Sequence, residues 1–209
     1  MSERQPVKAH WEQVYASRDP QEVSWYQQHA RPSLNMLREA NIPASAAVVD
    51  VGGGASVLVD DLLDEGFSSL SVLDLSASAL AVARSRLGEA GSLVRWIEAD
   101  VLEHDFAEQA FEVWHDRAVF HFLLNRADRQ RYVMQMQHAL KPGGIAMLAT
   151  FAEDGPERCS GLPTMRYSVA SLQRELGAPF ALLHSRRERH LTPAGREQQF
   201  LYCSFQRRP

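Results

Sequence analysis

Lysine is almost missing from this chain. Only Lys8 and Lys141 occur among 22 basic residues, so chemistry built on a lysine amine has just two candidates. Cysteine is equally scarce, and Cys159 and Cys203 make neither a disulfide framework nor, by themselves, a metal cluster. No apolar run approaches the ~18–20 residues that a membrane span needs. Met1–His10 is polar and holds no apolar stretch, so no secretory signal is expected and the cytoplasm is the expected location. An excess of positive charge is lacking too: the formal net charge of −4 argues against a nucleic-acid partner. The local cluster Arg186-Arg187-Glu188-Arg189 reads as a solvated face. Glycine (12) and proline (10) are scattered without period, which excludes collagen-like and low-complexity chains. What remains is a globular chain of 209 residues, 45% hydrophobic, expected to form one domain with a sizeable core.

From Ala46 onward, short apolar runs alternate with helical patterns. Ala47–Val51, Leu70–Asp74, Val94–Ala99, Phe111–His115 and Ile145–Thr150 read as buried strands. Between them, Val57–Leu63, Ala77–Leu87 and Arg126–Leu140 carry helical periodicity. Such alternation implies crossover connections and a mostly parallel sheet, hence an α/β fold. The tail departs from it, because Phe180–His190 and Gln198–Gln206 are both extended and are joined by Thr192-Pro193-Ala194-Gly195. That is a hairpin, which would append one antiparallel strand. Upstream, His10–Tyr15 and Val23–Leu37 read as helices. They would form a lid over residues 1–45, with a Rossmann-like core over 46–209.

In open parallel sheets, ligands bind beyond the carboxyl ends of the strands, where strand order reverses. The first strand-to-helix turn is Asp50-Val51-Gly52-Gly53-Gly54-Ala55-Ser56. Glycine there lets the backbone bend sharply and lets a ligand approach with no Cβ in the way. Asp74 ends the second strand, where a carboxylate can accept both hydroxyls of a ribose. Asp100 ends the third, placed to meet an adenine amino group. A dinucleotide fingerprint, G-x-G-x-x-G/A, would need a small residue where Val57 stands. Asp50, two residues before the first glycine, instead suits a place near an amino-acid ammonium.

This pattern resembles the class I S-adenosylmethionine-dependent methyltransferases of single-domain bacterial type, whose first motif is an acid followed by x-G-x-G-x-G. Ser56 departs from its last glycine. Leu140-Lys141-Pro142-Gly143-Gly144 is similar to the turn that precedes the fifth strand in that family. The resemblance implies a three-layer sandwich on a seven-stranded sheet whose last strand is antiparallel. It implies a cofactor site made of Asp50, Gly52, Gly53, Gly54, Asp74, Leu75, Asp100, Val101 and His115, with S-adenosylmethionine bound and S-adenosylhomocysteine released. No metal is expected.

Methyl transfer from a sulfonium is an in-line displacement, and a base is needed only if the nucleophile arrives protonated. The fourth strand and its continuation hold His115, Asp116 and His121. His121 is expected to be the base or the group that orients the nucleophile, because imidazole titrates near neutral pH. Asp116 would orient the acceptor or His121, or else pair with Arg117. His10-Trp11-Glu12-x-x-Tyr15 and Ser24-Trp25-Tyr26 resemble lid segments of small methyltransferases. Trp25, Tyr26, His121, Cys159 and Arg166 are the expected substrate contacts. The expected substrate is a small-molecule nucleophile with an N, O or S acceptor, and a protein lysine is the alternative. A nicotinamide-dependent oxidoreductase and a non-catalytic cofactor-binding protein are the rival classes. The protein is expected as a monomer or homodimer.

Overall fold

Alternate residues of each central strand enter different hydrophobic cores, and this is why the strands read as continuous apolar runs. In β1 (Ala47–Val51), Val48 joins one cluster and Val49 and Val51 the other. The same split runs through β4 (Phe111–Arg117), with Val113 on one face and Trp114 on the other. A sheet buried on both faces has no need of polar alternation. The computed structural model describes residues 5–209. The first four residues of the lid assigned to 1–45 lie outside it.

The remaining elements, in chain order, are α1 (Gln5–Ser17), α2 (Arg31–Glu39), α3 (Leu58–Asp64), β2 (Ser69–Asp74), α4 (Ala77–Leu87), β3 (Val94–Glu98), α5 (Arg126–Ala139), β5 (Leu140–Phe151), β6 (Arg158–Cys159), β7 (Leu162–Pro163), α6 (Val169–Leu176), β8 (Phe180–Leu191) and β9 (Glu197–Arg207). Leu34, Leu37, Leu58, Leu62 and Leu80 bring α2, α3 and α4 onto one face of the sheet. Tyr132, Met136, Leu172 and Leu176 bring α5 and α6 onto the other. Trp114, fully buried, donates its indole N–H to the Tyr132 hydroxyl at 2.8 Å. Truncating it to alanine would cost ~3–5 kcal/mol.

The sheet has seven strands in the order β3-β2-β1-β4-β5-β9-β8. β9 pairs antiparallel with both β5 and β8 and lies between them, so the tail hairpin contributes two strands rather than one. Strand order reverses at β1, which lies between β2 and β4, and the cleft opens there.

Two segments differ from their sequence expectation. Val23–Ala30 is a series of turns, not a helix. Pro32 stands in the first turn of α2, and a proline ring there blocks helix from running in from upstream. Lys141–Gly144 turns within β5, which begins at Leu140, and not ahead of it: β4 pairs with Leu140 and next with Ile145, and Gly143 between them sits at φ +79.

Candidate active site

Three strand ends and one turn build the cleft. At the end of β1 the amide of Gly52 donates to the Leu73 carbonyl at 2.7 Å, which folds the chain back over β2. Gly52 sits at φ +68, and a Cβ on it would lie 2.0 Å from Val119 Cγ2. Both the conformation and the space therefore require glycine. A Cβ on Gly53 would lie 2.4 Å from Asp50 Oδ2, so only glycine lets the turn pack against that carboxylate.

A first chamber runs over the ends of β2 and β3 and is lined there by Gly52, Leu73, Asp74, Leu75, Asp100 and Val101. Asp74 accepts from the Ser76 amide at 2.8 Å. Burial pushes its carboxyl up to about 7 against that hydrogen bond, with the negative charges of Asp50 and Glu12 adding to the rise. Asp100 accepts from the Leu102 amide at 2.9 Å. The outer wall of this chamber is aromatic. Trp11 packs edge-on against Trp25 (5.7 Å between centroids) and Phe122 (5.3 Å), and Tyr15 packs against Trp25 at 6.1 Å. All four rings line the chamber, together with Cys159.

A second chamber lies over β1 and β4, lined by Asp50, Gly52, Gly53, His115, Arg117, Tyr26 and neighbours; Tyr15, Trp25, Gly52 and Arg117 border both chambers. Asp50 Oδ1 accepts from His115 Nδ1 at 2.7 Å, and His115 Nε2 meets Ser33 Oγ of α2 at 2.8 Å. Both ring nitrogens are thereby engaged, so His115 acts by fixing Asp50. Asp50 Oδ2 is buried and has no partner.

Carboxylates tie down the roof: Glu98 of β3 accepts from Lys8 of α1 at 2.6 Å, and Glu12 of α1 reaches α4. Glu12 of α1 accepts from Ser76 Oγ (3.1 Å) and from the amides of Ala77 (2.7 Å) and Ser78 (3.1 Å), the first residues of α4. Burial works to raise its carboxyl, but these donors hold it below the usual carboxylate value.

Residues 48–144 match the profile of a methyltransferase domain. The seven-stranded fold is shared with solved methyltransferases. Mouse (Mus musculus) EEF1A lysine methyltransferase 2 is 25% identical over 186 residues, covering 78% of this chain and 76% of that protein. A structure from the conversion of a disulfide bond into a thioacetal group during echinomycin biosynthesis superimposes with a TM-score of 0.79 at 19% identity, covering 97% of this chain and 92% of that one. The Burkholderia thailandensis 1,6-didemethyltoxoflavin-N1-methyltransferase, solved with its substrate and S-adenosylhomocysteine, gives 0.70 at 20% identity over 100% of this chain and 92% of that one. No described helix is long and apolar enough to cross a membrane.

Of the residues expected to hold a cofactor, Gly52, Asp74, Leu75, Asp100 and Val101 line the first chamber, and Asp50, Gly53 and His115 the second. Gly54 lies just behind, against the Asp74 carboxylate. Trp25 and Cys159 line the first chamber, whereas Tyr26 lines only the second. Burial pushes the Cys159 thiol up to about 11, so it stands in the wall as a neutral thiol.

Three expectations are corrected. His121 is fully buried in the short turn Phe120–Phe122, behind the cleft. Its Nδ1 accepts from the Phe151 amide at 3.3 Å, and its ring packs on Phe122 and Phe151. Burial, helped by the charge of Arg117, pushes its pKa down to about 3, which makes it a poor base. Asp116 does not face the cleft either: it accepts from the amides of Val119 (2.9 Å) and Phe120 (3.0 Å) and from the Tyr132 hydroxyl. It shapes the exit from β4, where Ala118 is held at φ +69. Arg166 pairs with Glu157 at 3.1 Å at the surface and lines neither chamber. Arg117, Phe122 and Ala118 were not expected to line the cleft. The signal for Arg117 was a charged side chain at the very end of β4, beside the point of strand reversal.

Proposed function

We propose that this protein transfers a methyl group from S-adenosylmethionine to an amine nitrogen. The observation that carries the reading is a pair of adjoining chambers with strand-end acids of β3, β2 and β1 along one side and an aromatic wall over the first. S-adenosylmethionine, when bound, supplies an electrophilic methyl group and a neutral thioether leaving group. The residues present fit it. Asp100 and Asp74 stand where an adenine amino group and a ribose diol would be read. The buried, unpartnered Oδ2 of Asp50 has the charge to take an ammonium.

The choice of nitrogen rests on what the acceptor end offers. Trp11, Tyr15, Trp25 and Phe122 exclude water and present ring faces that attract a cationic amine. None of the residues facing the acceptor is suited to take a proton from a hydroxyl. Cys159 is held neutral, burial raises the Tyr15 hydroxyl well above its usual value, Arg117 is cationic and His121 lies outside. The carboxylates of the chamber are committed to the nucleoside. An amine can shed its proton to water before it enters, whereas an alcohol or phenol needs a base in place.

The roof formed by α1 and residues 23–30 suits a small amine. The lysine methyltransferase named above, matched over three quarters of its length, supports a protein lysine side chain as the second reading. Labelled S-adenosylmethionine offered to small amines, phenols and thiols, and separately to cell-extract proteins, tests both. Label in small amines supports the first reading, and label only in macromolecules the second. Label in phenols without amines overturns the nitrogen assignment. In calorimetry, heat with NAD but none with S-adenosylhomocysteine overturns the cofactor.

A further inference from the structure

Arg117 ends β4 and lines the first chamber together with Trp25 and Cys159. Its Nη1 donates to the Trp25 carbonyl at 3.0 Å, and its charge works to lower the Cys159 thiol. Cys159 lines the first chamber and not the second, so the guanidinium stands within electrostatic reach of the acceptor end. Nε donates to the Tyr202 hydroxyl at 2.8 Å, and the Phe200 ring lies 4.5 Å from Cζ. These contacts hold the side chain in one pose and leave its charge uncompensated. Nη2 is buried and has no hydrogen-bond partner. No ion pair among the described residues includes Arg117. Asp116, next to it in sequence, is spent on the turn amides and Tyr132. A buried charged donor left unmet is costly, and a guanidinium is the cation best matched to a carboxylate.

A bare amine is a poor match for that cation. As an ammonium among the rings it would meet both Arg117 and a sulfonium, like charges in a chamber that holds little water. An amine that carries its own carboxylate arrives without net charge and brings the acceptor that Nη2 lacks. The number of free nitrogens also chooses the anion. Nε and Nη1 are engaged, and the one nitrogen left suffices for a carboxylate, whereas a phosphate dianion calls for several donors. The rest of the acceptor end, Trp11, Trp25, Val119, Phe122 and Leu123, suits an apolar body. We propose that the acceptor is an apolar amine bearing a carboxylate, and that Arg117 takes this carboxylate and so decides which amines are methylated. This rests on the amine reading above and narrows it, since a lysine side chain within a protein has no carboxylate of its own to offer.

Methyl transfer to matched pairs of amines tests this, with phenylalanine against phenethylamine and para-aminomethylbenzoate against benzylamine. Each pair keeps the amine and the ring and differs only in the carboxylate. With the wild type, kcat/KM should favour the acids by at least ~tenfold, the worth of one charge-assisted contact. Arg117→Met should erase that preference, mostly through KM, and Arg117→Lys should restore part of it. S-adenosylhomocysteine affinity, followed by calorimetry, should stay within about twofold in both variants. No preference for the acids in the wild type overturns the proposal, as does a preference that survives Arg117→Met. A ~tenfold loss of S-adenosylhomocysteine affinity in Arg117→Met also overturns it, because the cation would then serve the cofactor. Equal losses for acids and neutral amines do the same, since Arg117 would only hold Trp25 in place. Label confined to cell-extract proteins overturns the proposal and leaves the amine reading standing, whereas transfer to phenols but to no amine overturns that reading itself.

Discussion

The two ends of the cleft are made of different materials. Over β1, β2 and β3 the walls carry carboxylates at strand ends, each fixed by its own local hydrogen bonds. Over the β4 exit and under α1 the walls are rings drawn from three distant stretches of chain, Trp11 and Tyr15, Trp25, and Phe122. The first kind of wall reads a ligand by directed hydrogen bonds and charge. The second reads it by shape and by removing water. On the function proposed above, one end is strict about what it holds while the other accommodates an acceptor whose reacting group is only required to bring a lone pair.

Substitutions at each end should separate these roles. The largest effect is expected from Asp74→Ala, which on the proposed reading removes two charge-assisted hydrogen bonds to a ribose, worth ~1.5–3 kcal/mol each. S-adenosylhomocysteine affinity should fall at least ~tenfold in calorimetry, with the fold retained. Unchanged affinity would remove the ribose assignment. The pH dependence comes next. Asp74 must be ionised to accept both hydroxyls, and its carboxyl is held at about 7. Affinity should therefore be level above pH 7 and fall by about tenfold per unit below it. Stability of the unliganded protein carries the opposite sign. The folded value of about 7 exceeds the unfolded one, so stability is lost as pH rises through 7. Asp74→Asn should then melt higher than wild type at pH 8 while binding no better than Asp74→Ala.

At the other end, Phe122→Ala should raise the acceptor KM by roughly three- to tenfold, the worth of one ring face. S-adenosylhomocysteine binding should stay unchanged, and a matching loss there would dissolve the distinction between the two walls. The smallest catalytic effect belongs to His121→Ala. It should destabilise the fold by roughly 2–4 kcal/mol, lowering the melting temperature, with kcat per folded molecule preserved. A ~10²-fold loss of kcat in the folded variant would return His121 to the role of base.

The same division explains what could be read in advance. The placement of Asp50, Asp74 and Asp100 along one edge of the sheet was legible because an apolar strand announces where it ends, and a residue at the end of a parallel strand has only one place to be. Trp11, Trp25 and Phe122 offered no such rule, since aromatic residues pack as readily in a core as in a cleft. His121 was misjudged because its direction is set by the turn that Asp116 and Tyr132 brace, a tertiary arrangement with no local signature. Arg117 was overlooked because Asp116 beside it in sequence looked like its partner. Successive residues of a strand point to opposite faces, and the two never meet.

Glu12 ties the roof to the α4 N-terminus within the same short segment that carries Asp74 and Ser76. Swinging α1 away would strip three donors of their acceptor beside the ribose acid, so access to the cleft is gated by an ion-like contact as well as by aromatic packing. On the function proposed above, the nucleoside end lies beneath this tether, so release of the spent cofactor should quicken as added salt weakens the hold of Glu12.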